Sequence, residues 1–241
     1  MSARRDRIHR NDTGRTYRGA DVHAGPGVHE AVVEVLRERL PSEARIADLG
    51  SGSGALALRM HDLGYRVTAV DRDVSETPAH IESLQVDLNL AAPKLRRHSF
   101  DAAVAVELIE HLDAPLAFLR NALALIKPGG WLLVTTPNVL HPYSRLKYLV
   151  KGTFLLFDES DYWETGHSTP LPRWLLESHL QEAGVDEVFH GYRGGFDMKG
   201  VRRPIASLCG WIARREKCPL GARDGCSTLF VLARSPAELP P

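Results

Sequence analysis

Cysteine, net charge and long apolar runs are scarce or missing in this sequence of 241 residues. The three cysteines, Cys209, Cys218 and Cys226, form no CxxC pair and leave one thiol over, which argues against a disulfide framework and against a cysteine zinc site. No apolar run approaches the roughly 18 residues that cross a bilayer, and the basic N-terminus lacks the apolar stretch of a secretory signal. We therefore expect reduced thiols, no membrane span and a cytoplasmic location.

An excess of one charge is also absent, because 30 basic residues balance 30 acidic ones. No overall positive field is available to hold a nucleic acid backbone, so nucleic acid is not the expected partner, although the arginine-rich N-terminus could supply a local patch. The length suits one large α/β domain. We predict a flexible basic arm over residues 1–25 and a single domain over residues 26–241.

Apolar runs that predict strands alternate with amphipathic stretches that predict helices. ARIADLGSGSGALALRMHDLGYRVTAVDRD predicts a strand, a glycine turn, a helix and a second strand, which together make a βαβ unit. SFDAAVAVEL predicts a buried strand, APLAFLRNALALI a helix that ends at a Lys-Pro-Gly-Gly turn, and WLLVTTP the next strand. The alternation predicts a doubly wound, mostly parallel sheet.

Two segments depart from this rhythm. Residues 137–170 are rich in prolines and aromatic residues, and an insertion of this length is more often a lid or a binding element than a plain connection. Residues 202–215, RRPIASLCGWIARR, have an apolar face flanked by arginines. Packing against the domain is favoured for this second segment, with peripheral contact to a membrane or a lipid-linked substrate as the alternative.

A glycine loop and a following acidic residue indicate a nucleotide site. Gly50, Gly52 and Gly54 lie between a predicted strand and a helix N-terminus, where missing Cβ atoms let the backbone approach a ligand. Asp71 ends the next strand, 21 residues after Gly50, where a carboxylate can accept hydrogen bonds from ribose hydroxyls. Because this loop also satisfies the dinucleotide pattern if Ala55 replaces its last glycine, an NAD(P)-dependent oxidoreductase is a rival interpretation.

Five blocks occur in order at fixed spacings: ADLGSGSG, VDRD, VDL at 86–88, FDAAVAVELIEHL and LIKPGGWLLVTTPN. With them the chain resembles a class I S-adenosylmethionine-dependent methyltransferase over about residues 30–235. The resemblance implies an α/β fold with a doubly wound, seven-stranded Rossmann-like sheet whose last strand is antiparallel. It implies that S-adenosylmethionine is the cofactor, with its methionine part at Asp48 and the glycines, its ribose at Asp71, its adenine at Asp87 and its sulfonium beside Glu107. The implied cofactor-binding residues are Asp48, Gly50, Ser51, Gly52, Gly54, Asp71, Arg72, Asp87, Leu88 and Glu107.

The stretch VELIEHLD gathers Glu107, Glu110 and His111 directly after a predicted buried strand. Ubiquinone-pathway and polysaccharide-associated O-methyltransferases, and small-RNA ribose 2′-O-methyltransferases, carry a similar Glu-x-x-Glu-His block. In the RNA enzymes that block binds a divalent ion together with a further histidine, and His167 stands in the comparable place here. Glu107, Glu110, His111 and His167 are therefore the predicted catalytic residues and the candidate ligands of a divalent metal such as Mg²⁺ or Mn²⁺.

Two other roles for this cluster stay open: a metal-free general base at His111, or ion pairs of Glu110 and His111 with the arginine-rich N-terminus or with each other.

The predicted function is an O-methyltransferase acting on a hydroxyl of a glycan, a lipid-linked saccharide or a small metabolite. A quinone-type phenol and an RNA ribose are the alternative acceptors. A nonenzymatic cofactor-binding protein is a more distant alternative, against which the intact Glu-x-x-Glu-His block argues.

Overall fold

The computed structural model describes residues 15–90, 95–193 and 227–236. Residues 1–14 of the predicted arm, the amphipathic stretch 202–215 and the three cysteines lie outside the described residues. The strands are β1 (Thr16–Tyr17), β2 (Ala20–Asp21), β3 (Arg45–Leu49), β4 (Arg66–Asp71), β5 (Glu82–Gln85), β6 (Phe100–Val106), β7 (Ile126–Pro137), β8 (Val188–Arg193) and β9 (Thr228–Arg234). The helices are α1 (Val28–Arg39), α2 (Ala55–Asp62), α3 (Pro115–Leu125), α4 (Pro142–Lys151), α5 (Glu159–Glu164) and α6 (Arg173–Glu182), with a 3₁₀ turn at Ile109–His111.

Strands β3 to β9 form one seven-stranded sheet in the order β5-β4-β3-β6-β7-β9-β8. The first five of these neighbours pair in parallel, whereas β9 is antiparallel to both β7 and β8. This arrangement confirms the predicted fold, including the antiparallel last strand. The chain order reverses between β3 and β6, so the carboxyl ends of these two strands flank the crevice where ligands bind in doubly wound sheets.

Both faces of the sheet are covered, which explains why its central strands are apolar throughout. Along β6, Ala102 and Val104 face a core built with α1 and α2, while Ala103 and Ala105 face a second core built with α3 and α6. All four of these residues are fully buried. Successive side chains of a strand point to opposite faces, so a strand buried on both sides needs an uninterrupted apolar run.

Residues 15–25, which the sequence assigned to the arm, begin with a short hairpin that packs on α2. Strands β1 and β2 pair antiparallel. The Tyr17 hydroxyl donates to Asp62 at 2.8 Å, and the Ser53 hydroxyl donates to the backbone oxygen of Asp21 at 2.6 Å. The hairpin therefore touches both the glycine loop and the end of α2. The division of the chain at residue 25 stays a prediction.

The Lys-Pro-Gly-Gly stretch is part of a strand rather than a turn between two elements. Helix α3 ends at Leu125 and β7 begins at Ile126, with a register shift against β6 between Phe100 and Ala102. The backbone NH of Gly129 donates to Ser235 at 3.2 Å, and that of Ser235 donates to Gly130 at 2.8 Å. The glycines are thus held by the chain that follows β9, a partner that is distant in sequence.

The insertion between β7 and α6 contains the two helices α4 and α5. Helix α4 has Pro142 in its first turn and ends at Gly152, which has a φ of 73°. At its N-terminus the NH of Tyr143 donates a hydrogen bond to Nδ1 of His141 at 3.1 Å. Asp158 caps α5. Among the described residues, no helix combines the length and the apolar character needed to cross a membrane.

Candidate functional site

The glycine loop lies at the carboxyl end of β3, directly before α2. Its three glycines have φ angles of 77°, 52° and 80°, a region that side chains other than glycine rarely adopt. A Cβ at Gly50 would lie 2.8 Å from the Leu108 side chain, and one at Gly54 would lie 2.9 Å from Pro78. Both conformation and space therefore require glycine at these two positions.

Two carboxylates accompany the loop, on the adjacent strands β3 and β4. Asp71 ends β4, and its carboxylate accepts hydrogen bonds from the NH of Gly52 at 2.9 Å and the NH of Asp73 at 3.1 Å. Asp48 is 2% exposed, and its Oδ2 has no hydrogen-bond partner in the described part of the chain. Burial, and secondarily the charge of Asp71, raise the pKa of Asp48 to about 7. Beside the loop, Asp48 thus offers a buried oxygen without a partner, and Asp71 offers a carboxylate that can bind ribose hydroxyls. The two fit a ligand that combines a nucleoside with a positively charged group.

The remaining predicted cofactor residues lie at the same edge of the sheet. Asp87 follows β5, is partly buried, and accepts a hydrogen bond from the NH of Asn89 at 3.0 Å. Leu88 packs against the core on the α3 side, and Arg72 follows Asp71 at the end of β4. Ser51 is partly buried within the loop. Their individual roles stay predictions.

Glu107 follows β6 in a strained backbone conformation, with φ 50°. Its NH donates to the Thr135 hydroxyl at 3.0 Å, and that hydroxyl donates back to the Glu107 carboxylate at 2.9 Å. Burial raises the pKa of Glu107 to about 7, although the Thr135 hydrogen bond opposes the shift. The neighbouring strand β7 therefore fixes the direction of this carboxylate.

A second group of titratable side chains forms at the 3₁₀ turn. Glu110, His111 and His167 each offer a ligand atom, and these atoms all lie within 4.8 Å of one another. Glu110 is completely buried, and no hydrogen bond of good geometry from a described residue reaches its carboxylate oxygens or Nδ1 of His111. The Thr136 hydroxyl lies close enough to Glu110 to oppose the rise in the pKa of that carboxyl. The two imidazole rings meet edge to face with centroids 4.8 Å apart. Three of the four predicted metal ligands are thus gathered, and Glu107 is not part of this group.

The protonation of this group follows from its burial. Burial and then the charge of Glu107 raise the pKa of Glu110 well above its ordinary value. Burial and then the nearby His167 lower the pKa of His111 to about 4, and burial lowers the pKa of His167. Both histidines are therefore neutral near pH 7 and keep a lone pair that can accept a proton or bind a cation.

His167 reaches the turn through backbone contacts. The NH groups of Ser168 and Thr169 both donate to the backbone oxygen of Glu110 at 3.0 Å, and the Thr169 hydroxyl donates to that of Leu112 at 3.1 Å. These bonds tie the end of the insertion to the 3₁₀ turn. The predicted catalytic residues therefore lie on two segments that are more than fifty positions apart in the sequence.

Three further residues shape this region although the sequence does not point to them. A Cβ at Gly52 would lie 3.1 Å from Nδ1 of His23, so the segment after β2 covers the glycine loop. Leu108 packs over Gly50, and Thr135 orients Glu107. No local pattern in the sequence identifies them, because each acts through a contact between distant segments.

The comparison with protein families identifies the chain. A family model described as "Methyltransferase domain" matches residues 23–187. The chain belongs to this methyltransferase family. The methyltransferase is 39% identical over 174 residues to a protein of Xanthomonas campestris named ubiquinone biosynthesis O-methyltransferase, with 64% of this chain and 69% of that protein covered.

Solved structures agree on the fold of the methyltransferase. An S-adenosylmethionine-dependent methyltransferase from Archaeoglobus fulgidus superposes with a TM-score of 0.59 at 16% identity, covering 86% of this chain and 94% of that chain. Phosphoethanolamine N-methyltransferase 2 of Haemonchus contortus, solved with S-adenosylmethionine, superposes with a TM-score of 0.59 at 17% identity, covering 89% of this chain and 54% of that chain. Identities this low show the fold alone. The family match and the 39% identical relative make this protein an S-adenosylmethionine-dependent methyltransferase and confirm that prediction.

Proposed function

We propose that this methyltransferase transfers its methyl group to a hydroxyl oxygen, and that the acceptor is a quinone-type phenol. The observation that carries the choice of oxygen is the convergence of Glu110, His111 and His167 beside Glu107, because a hydroxyl must lose its proton to become a good nucleophile. The name of the Xanthomonas campestris relative supports the phenolic acceptor. Comparisons give no such support to the glycan or lipid-linked saccharide that the sequence favoured.

S-adenosylmethionine supplies an activated methyl group when it is bound. The glycine loop and Asp71 are the residues proposed to hold its nucleoside, and the unpaired Asp48 carboxylate is the proposed partner of its ammonium group. The contribution of the chain is to hold the two reactants together and to exclude water, since methyl transfer is an in-line displacement. The insertion over residues 137–170 carries His167 and is bonded to the 3₁₀ turn through Ser168 and Thr169, which supports it as the proposed acceptor-selecting element.

Glu110, His111 and His167 are the proposed holders of a divalent cation. A buried carboxylate without a partner is costly, and a cation would compensate it. Two imidazoles and one carboxylate suit Zn²⁺ or Mn²⁺ better than Mg²⁺, which prefers oxygen ligands. A cation at this place would lower the pKa of an acceptor hydroxyl. Without it, one of the two neutral histidines would accept the hydroxyl proton.

A labelled-methyl assay tests the acceptor. Purified protein is incubated with methyl-labelled S-adenosylmethionine and, separately, a prenylated catechol, a lipid-linked saccharide and a single-stranded RNA. Label in the catechol alone is the expected result. Label in the saccharide or in the RNA 3′ end instead would replace the phenolic acceptor, and label in none of them would refute the acceptor proposal.

The same assay tests the cluster. Glu110→Gln should slow transfer by about 100-fold or more, whereas Glu34→Gln, at an exposed glutamate on α1, should not change it. Dialysis against a chelator should abolish transfer, and Mn²⁺ or Zn²⁺ should restore it. Full activity after chelation would exclude a catalytic cation and favour a histidine that acts as the general base. A cytoplasmic location and the absence of a nucleic acid partner stay proposals.

A further inference from the structure

The ring of His167 donates a hydrogen bond to the backbone of the insertion. Its Nδ1 lies 2.8 Å from the backbone oxygen of Leu156. A carbonyl oxygen only accepts, so Nδ1 must carry the proton, and Nε2 then keeps the lone pair. The ring of Phe157 also lies against His167, with centroids 5.4 Å apart. The tautomer of His167 therefore depends on the position of the Leu156 carbonyl group.

Leu156 lies in a turn that the chain does not form easily by itself. Its φ is 66°, in the left-handed region, which is strained for a residue with a side chain. The turn is closed by the NH of Phe157, which donates to the oxygen of Phe154 at 3.2 Å. Such a conformation persists only if the surrounding structure imposes it.

Helix α4 supplies the contacts that impose it. The Lys147 ammonium donates to the backbone oxygen of Phe154 at 3.0 Å and to the Asp158 carboxylate at 2.8 Å, so it binds both ends of the turn. The side chain of Lys147 is only 13% exposed. The buried Ser144 hydroxyl, one turn earlier on α4, accepts a hydrogen bond from the NH of Leu155 at 3.0 Å.

We propose that Lys147 is a positioning residue for the methyl transfer: it clamps the turn at 154–158 so that Leu156 fixes the Nδ1-protonated form of His167. Nε2 of His167 then keeps the lone pair that a cation or an acceptor proton needs. The inference rests on the proposed function only in taking His167 as a site residue. In metal sites, changing a group that orients a ligand histidine typically reduces metal affinity or activity about 10–100-fold.

Lys147→Met tests the proposal because methionine keeps an apolar stem of similar length and loses the ammonium. Lys151→Met is the matched control, since Lys151 is one turn further along α4 and exposed. The primary readout is the tautomer of His167, measured by long-range proton–nitrogen correlation on nitrogen-15-labelled protein and assigned with His167→Gln. Lys147→Met should lose the pure Nδ1-protonated pattern, and Lys151→Met should keep it.

Affinities separate positioning from general damage. In Lys147→Met the affinity for Zn²⁺ should fall about 10–100-fold, while the affinity for S-adenosylhomocysteine should be unchanged, because the glycine loop lies on other elements. An unchanged tautomer would overturn the proposal. If the wild type binds no Zn²⁺, the metal part of the proposed function fails, and the tautomer measurement still decides the positioning role.

A second pair of variants covers the case in which Lys147→Met does not fold. Leu156→Gly should keep the tautomer, because glycine adopts a φ of 66° freely. Leu156→Val should lose it, because a β-branched residue is strongly disfavoured there. If the glycine and valine variants give the same tautomer pattern as the wild type, the turn at 154–158 does not control His167 and the inference is wrong.

Discussion

Replacing Asp48 with asparagine should stabilise the protein at pH 8 while weakening the binding of its cofactor. The Asp48 carboxylate is buried beside Asp71 with an unpaired oxygen, and its pKa is raised from 3.8 to about 7. A raised pKa means that the folded state holds the proton more tightly than the unfolded state between these two values. Stability is therefore lost as pH rises through this window, and the loss is complete above pH 7.

The size of the effect follows from the shift of about three pH units. Each unit corresponds to 1.36 kcal/mol, so the ionised carboxylate costs at most about 4 kcal/mol above pH 7. Asparagine has nearly the same shape and no charge, so it removes this cost. The stability advantage of Asp48→Asn should be largest at pH 8 and should shrink by about 1.4 kcal/mol for each pH unit between 7 and 4.

Urea unfolding at pH 5, 6, 7 and 8 measures this slope, and calorimetric titration with S-adenosylhomocysteine measures the binding. Asp113→Asn, at an exposed aspartate near the start of α3, is the control for the general effect of removing one carboxylate. A stability difference that is the same at every pH, or an Asp48→Asn variant less stable than the wild type at pH 8, would show that burial of this charge is not the cause.

Three further outcomes are expected. Asp71→Asn should abolish measurable S-adenosylhomocysteine binding, because the carboxylate at the loop is lost, whereas His111→Ala should keep binding and slow turnover; equal loss of binding in both would contradict this division. His29 is buried, and its pKa is lowered to about 4, first by burial and then by the charge of Arg59. Because the unfolded state then binds a proton more readily, the free energy of unfolding should fall as pH drops from 6.5 to 4, and His29→Gln should flatten that part of its pH profile. Gly54→Ala should lower stability by about 1–3 kcal/mol more than Gly64→Ala, because both glycines have positive φ but only the first meets a neighbour, Pro78; equal losses would show that this contact is relieved.

The parts of the proposed cofactor site could largely be located from the sequence. Glycines at 50, 52 and 54 and an aspartate at 71 belong to one βαβ unit, whose parts are neighbours both in sequence and in space. Continuous apolar runs mark the two buried parallel strands of that unit, and glycines at 54 and 64 bound the helix between them. The raised pKa of Asp48 was not predictable, since it depends on how completely the sheet and α2 bury the carboxylate.

For the proposed acceptor site, the sequence identified candidate residues but not how they are arranged in space. The Glu-x-x-Glu-His block and His167 could be named as candidates, but the distance between them depends on hydrogen bonds from Ser168 and Thr169 to Glu110. The turn that fixes the His167 ring needs Lys147 from another helix, and Glu107 takes its direction from Thr135 on β7.

The sequence by itself determined the order of strands and helices and the glycine loop, because local periodicity and turn chemistry specify them. The antiparallel end of the sheet was implied by the resemblance to class I S-adenosylmethionine-dependent methyltransferases and by no local pattern. Only the tertiary structure decided which of the acids and histidines meet, which carboxylates are buried without a partner, and that Lys-Pro-Gly-Gly enters a strand by bonding to the chain after β9. These features depend on contacts between residues dozens of positions apart, and no local pattern encodes such a contact.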